Sequence, residues 1–223
     1  FIDNNIIENP NTHISYFYQY FRDNTKSLND KIERLQKITN GKLNSPYLLT
    51  FVEAKDYQQV IDSFSIKITN KVDALGNTIL HIAAKQHNVD LVNYLLEHKF
   101  DINSLNNNNQ TSLYYAITCY GPSIDFNNPV IEDDSIAKIN FVSDMPYYNN
   151  PQEIQQEQVA VVMTLLDKGI KINQQDKFGW SVLHYAAAFY PEGLQELLIS
   201  KGANKELKTK YNRTPSDILA LKK

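Results

Sequence analysis

Residues 91–103, "LVNYLLEHKFDIN", place apolar side chains at Leu91, Val92, Leu95 and Leu96, the spacing of one helix face, with a polar tail behind. "VVMTLLDKGIKIN" (161–173) and "LQELLISKGANKE" (194–206) repeat that cadence. Each predicts an amphipathic helix that ends in a turn. A second pattern precedes them. "GNTILHIAAKQ" (76–86) and "GWSVLHYAAAFY" (179–190) share Gly, a hydroxyl residue two on, a hydrophobe, Leu, His, a hydrophobe and two alanines. They predict short helices entered through a turn at Gly76 or Gly179, where a positive φ suits glycine. Thr78 and Ser181 read as N-caps whose hydroxyls meet orphan amides.

The two patterns keep one phase of 33 residues. Asn109 stands one period past Gly76 and opens "QTSLYYAI". Gly179 lies 103 residues past Gly76, which is two periods and 37 extra residues. Asn212 stands one period further and opens "RTPSDILA". Ser45, one period before Thr78, sits in "SPYLLTFV", a degenerate copy. Thr111 and Thr214 extend the series of caps, and Pro215 falls where a missing N–H costs nothing. Leu80, Leu95, Leu96, Leu113, Leu165, Leu166, Leu183, Leu197 and Leu198 form a core that no copy could bury alone. Ala83, Ala84, Ala186 and Ala187 are small where neighbouring helices approach.

A 33-residue period with T-P-L-H-x-A-like text and a trailing L-L-x-x-G resembles the ankyrin repeat, over roughly residues 43–223. The resemblance implies an all-α solenoid. Its expected divisions are an N-terminal helical cap (1–42), a degenerate repeat (43–72) and full repeats at 73–105, 106–175 and 176–208. A C-terminal cap (209–223) follows, with Ser and Asp in place of Leu and His. The 37 extra residues form an insertion near 120–156 in the second full repeat. His81 and His184 are expected to tie repeats together through the cap hydroxyl and a neighbouring turn. Tyr114 replaces His in the second repeat, which suggests a looser turn.

The family binds partners through turn tips and the adjoining inner-helix surface, which here means Leu75, Phe178, Trp180, Phe189, Tyr211 and Arg213. Aromatics beside an arginine are the composition of an interaction hot spot. Asn103 and Asn173 match sites at which asparaginyl hydroxylases modify such repeats. Gly76, Thr78, His81, Gly179, Ser181, His184 and Thr214 are structural.

In the N-terminal region, "HISYFYQYF" (13–21) spreads aromatics over several helix faces. Ser27 is placed to cap a helix striped by Leu28, Ile32, Leu35 and Ile38 and stopped near Gly41. Within the insertion, Asn150, Pro151 and Glu153 read as cap, first-turn proline and capping-box acid. The acidic run Glu132, Asp133 and Asp134 lies between apolar strips. The insertion is a surface loop or a docking element.

Composition narrows the function. The net charge of −3 gives no general attraction to nucleic acid. No apolar run reaches membrane-spanning length. A single cysteine, Cys119, fits a reducing, cytoplasmic compartment. Starting at Phe1, the chain reads as an excised or processed fragment. Phosphate-binding glycine motifs, zinc spacings and calcium loops are missing, and Cys119 with committed histidines makes no nucleophile pair. We therefore expect a monomeric protein-recognition module, without enzyme activity, metal or cofactor. Abundant Asn, Lys, Ile and Tyr suggest an AT-rich genome and an effector delivered to a host cytosol. The alternative is the targeting arm of an enzyme.

Overall fold

The computed structural model describes residues 25–39, 46–66, 73, 75–118, 156–190 and 192–220. The aromatic stretch 13–21, Gly41, Ala74, Cys119 and the insertion through Asn150, Pro151 and Glu153 lie outside the described residues. The described chain is helical: α1 (Leu28–Thr39), 3-10 turns over Pro46–Phe51 and Ala54–Asp56, α2 (Tyr57–Phe64), α3 (Ile79–Lys85), α4 (Val89–Glu97), α5 (Ser112–Thr118), α6 (Gln156–Asp167), α7 (Val182–Phe189), α8 (Glu192–Ser200) and α9 (Pro215–Ala220).

The short helices α3, α5, α7 and α9 stack in sequence as an inner row. Each of the first three also packs on its own outer helix: α3 on α4, α5 on α6, α7 on α8. Helices under three turns are marginal alone, so this stack is what stabilises them. Leu80, Leu91, Leu95, Leu113, Leu165 and Leu198 are buried in one continuous core, each contributing about 1.5–3 kcal/mol. Leu96, Leu166 and Leu197 are only half-buried on its flank. Ala83, Ala116, Ala186 and Ala187 are fully buried, where a larger side chain would hold the inner helices apart. The result is an all-α repeat solenoid.

At the N-terminal side, Pro46–Phe51 packs against α3 in place of an inner helix, and α2 packs beside it. Ser27 and Asp30 exchange a reciprocal cap, with Asp30 N–H donating to Ser27 Oγ and the Ser27 hydroxyl donating to Asp30 Oδ2. The cap starts α1, whose Ile32 and Leu35 are buried and which packs on α2.

The repeats close their inner helices in two ways. In the first, backbone suffices: His87 N–H donates to the Ala84 carbonyl at 3.1 Å and Asn88 N–H to Ala83 at 3.0 Å, with His87 at φ +51°. One period on, the matching carbonyls are Ala116 and Ile117. Here three side chains cap them. His87 Nε2 donates to Ala116 at 3.1 Å, and Gln158 Nε2 lies 3.0 and 3.1 Å from the Ala116 and Ile117 carbonyls. The Tyr190 hydroxyl donates to Ile117. His87 comes from the repeat before, Gln158 from α6 and Tyr190 from the repeat after.

Candidate recognition surface

Four hairpin-like turns, or fingers, lead into the inner helices. Each turns through a residue at positive φ: Gly76 at +70°, Asn109 at +59°, Gly179 at +79° and Asn212 at +61°. At Gly179 a Cβ would also approach Lys210 N to 2.9 Å, so glycine serves both the torsion and the close neighbour. Three residues earlier stands a side chain that grips the turn from within: Asp73, Asn106, Asp176 or Thr209. Asp73 Oδ1 accepts from Asn77 N–H at 2.9 Å, and Asn106 Oδ1 from Asn108 and Gln110 at 2.9 and 3.0 Å. Asp176 Oδ1 accepts from Phe178 and Trp180 at 2.8 and 2.9 Å, and Thr209 Oγ1 from Tyr211 and Arg213 at 3.3 Å each. This series escaped the sequence reading, although it keeps the same 33-residue phase.

Backbone bonds join the fingers into a row. Asn107 N–H donates to the Leu75 carbonyl at 2.9 Å, Lys177 to Asn108 at 3.0 Å and Lys210 to Phe178 at 2.9 Å.

His81 and His184 sit behind this row and are completely buried. His81 Nε2 lies 3.0 Å from the Gln110 carbonyl, which can only accept, so Nε2 carries the proton. Nδ1 then accepts from the Thr78 hydroxyl at 2.7 Å and N–H at 3.1 Å. His184 repeats this with the Arg213 carbonyl at 3.0 Å, the Ser181 hydroxyl at 2.8 Å and Ser181 N–H at 3.1 Å. Burial lowers the pKa of His184 against the pull of its carbonyl partners and keeps the ring neutral. Both rings are thus fully engaged within the fold.

Tyr114 does not loosen its turn. Its hydroxyl reaches the carbonyls of Trp180 at 2.5 Å and Gln174 at 2.7 Å, the former being the counterpart of the histidine bonds. Its longer side chain carries the donor past Thr111, however, and the cap expected there fails: Thr111 Oγ1 is buried without a partner among the described residues. Thr214 does cap α9: its Oγ1 accepts from Asp217 N–H at 3.2 Å, and Asp217 Oδ2 accepts in return from its N–H and hydroxyl at 2.8 Å each.

Trp180 also departs from expectation. It is 3 % exposed, its ring against Tyr185 and His184, so it is no contact residue on an open face. Position 180 follows the turn glycine, where the chain has already bent inward. Asn77, Asn108, Gln110 and Ala188, the other residues of the tips and adjoining helices found buried, serve the interior as well. Asp176 joins Trp180 to Tyr185, whose hydroxyl donates to Oδ2 at 2.7 Å. Burial raises the Asp176 pKa despite those donors.

The residues left at the outer edge are Tyr211, 45 % exposed, with Leu75, Phe178, Phe189 and Arg213 half-buried. Lys177 and Lys210 occupy equivalent tips on adjacent fingers and are exposed. Asn103 and Asn173 bridge successive loops: Asn103 Oδ1 accepts from Lys171 N–H at 2.8 Å, and Asn173 Oδ1 from Asn204 N–H at 2.8 Å. Among the described residues no group of three His, Cys, Asp or Glu side chains could hold a metal, and no helix is long and apolar enough to cross a membrane.

Comparison with known proteins agrees with this architecture. Residues 48–126 match a model described as ankyrin repeats (3 copies), and residues 154–190 one described as ankyrin repeats (many copies). Neurogenic locus notch homolog protein 1 of Homo sapiens is 27 % identical over 172 residues, covering 73 % of this chain and 6 % of that protein. A putative ankyrin repeat protein, FPV230, of Fowlpox virus is 46 % identical over 57 residues, 26 % of this chain and 29 % of its own length. The 2-5A-dependent ribonuclease of Homo sapiens is 36 % identical over 69 residues, 30 % of this chain and 9 % of that protein. The chain thus spans only a small part of the first of these. The stacked pairs, the finger row and both family matches make this chain a member of the ankyrin-repeat family.

Proposed function

We propose that this chain works by docking a protein against the fingers of its last full repeat and C-terminal cap. Ankyrin repeats are interaction modules, and the observation that carries the reading here is the exposed Tyr211 ring beside half-buried Phe178. Neither tip needs an aromatic: the equivalent tip positions hold Leu75 and Asn108. Turn geometry is held from inside by Asp176 and Thr209, which leaves the tip side chains to a partner. An Asn-, Lys-, Ile- and Tyr-rich composition supports the finer reading of an effector acting in a host cytosol. The second reading, a targeting arm of an enzyme, is favoured by one relative, a ribonuclease that shares a repeat stretch. The division into an N-terminal cap, three full repeats with one insertion and a C-terminal cap is part of this proposal, as is a monomeric state.

The test is recovery of a partner by the wild-type chain and by a Phe178→Ala/Tyr211→Ala variant. Loss of two tip aromatics should weaken binding by about 2 kcal/mol or more. Buried Trp180 supplies the fold control, since its emission should stay unchanged. A partner held equally by both proteins refutes the surface.

A further inference from the structure

We propose that the partner segment lying along the last two fingers is acidic, with an apolar residue placed between its carboxylates; this rests on the docking surface just described. The fingers carry two equivalent tip positions each. One reads Asn107, Lys177, Lys210 and the other Leu75, Asn108, Phe178, Tyr211. Charge and aromatic character therefore arrive together, on the third and fourth fingers only.

Lys177 and Lys210 are exposed and make no ion pair among the described residues, where the ion pairs lie elsewhere. From Lys201 to Arg213 there are five basic residues and one acid, Glu206. The other carboxylates close by are already committed: Asp176 is buried under two amides and a tyrosine hydroxyl, and Asp217 caps Thr214. Two like charges held on neighbouring fingers by the Lys210-to-Phe178 backbone bond repel each other. An anionic strip along the row relieves that repulsion, while Phe178 and Tyr211 receive an apolar side chain.

A polyphosphate backbone fits less well. It needs a run of phosphate contacts, whereas the basic tips stop after two fingers and the chain as a whole carries −3. Exposed pairs are individually weak, so the expected signature is salt-sensitive association steered by charge and anchored by the rings.

A displayed random-peptide library selected on the 223-residue chain provides the test. Peptides rich in Asp and Glu around an apolar residue should emerge. Their fluorescein-labelled forms should bind a Lys177→Glu/Lys210→Glu variant about tenfold more weakly, with affinity falling as salt rises. Neutral or basic winners, no winners, or equal binding to the charge-reversed variant would overturn the inference. So would retention of heparin or phosphatidylserine vesicles in preference to peptide. Peptides that need Phe178 and Tyr211 but ignore the two lysines would sink the acidic partner and leave the docking surface standing. Peptides indifferent to all four would remove both. Unchanged Trp180 emission in each variant shows that the fold survived.

Discussion

The first and second full repeats meet the same two requirements with different chemistry. Both must close the end of an inner helix, and both must tie that helix to the next repeat. In the first, a tight backbone turn closes α3, and a histidine bonded to a threonine makes the tie. In the second, Gln158, His87 and Tyr190 cap α5 from outside, and Tyr114 reaches the next finger alone. Among the described residues, the polar contacts at the end of α5 therefore come from side chains of the repeats on both sides as well as its own outer helix.

The largest expected effect comes from Gln158→Ala. It withdraws a buried donor from two carbonyls and leaves a gap, so unfolding in urea should show a loss of about 2–3 kcal/mol. In the first repeat, Asn88→Ala removes a helix cap to Leu91 N–H and a long acceptor contact with the Tyr57 hydroxyl, and should cost about 1 kcal/mol. Equal losses would mean that the second repeat is not more dependent on side-chain caps. Tyr114→Phe comes next: it deletes the hydroxyl while keeping the ring against Tyr185, and the loss should be about 1–2 kcal/mol.

The sharpest contrast is one of sign. Thr78→Val and Ser181→Ala each break a bonded cap and should cost about 1 kcal/mol. Thr111→Val removes a hydroxyl that has no partner, so it should be neutral or stabilising by a few tenths of a kcal/mol, roughly. Destabilisation by Thr111→Val matching that of Thr78→Val would contradict the unpartnered state of Thr111.

The smallest effect is on pH. Burial holds His87 and His184 below the ordinary histidine value, so the unfolded chain binds their protons first. Their stabilising contribution is complete above about pH 6.5 and is lost as pH falls below it. His87 also feels Glu157, which opposes the shift. Asp176, raised by burial, acts in the other direction and only at lower pH, near the carboxylate range. Stability measured from about pH 7 down to about pH 5.5 should therefore fall, and His87→Gln should flatten part of that slope. An unchanged slope would show that the His87 bond to Ala116 is not coupled to protonation.

Much of the stack was legible because periodicity is a local signal. The phase from Gly76 to Asn212 located the fingers, and the paired leucines located the outer helices. Two kinds of residue were not legible. Trp180 looked like a surface residue because a tip glycine precedes it, yet one residue past that glycine the chain has turned inward. Nothing in the sequence singles out Gln158, a polar residue among others at the start of α6. Its role appears only once its side-chain amide is seen to lie against the Ala116 and Ile117 carbonyls at the end of α5. Tyr114 lies between these cases: the substitution was visible, but the reach of its hydroxyl to Trp180 was not.

Asp217 gives the array a direction. His81, Tyr114 and His184 each pass a proton donor forward to the carbonyls of the finger that follows, and Asp217 stands where the next such donor would be. The carboxylate, held below its usual pKa chiefly by the Thr214 amide, can only accept. The relay thus stops at a residue chosen for what it lacks. Engineers wishing to splice a further module beyond α9 would first have to place a histidine at 217.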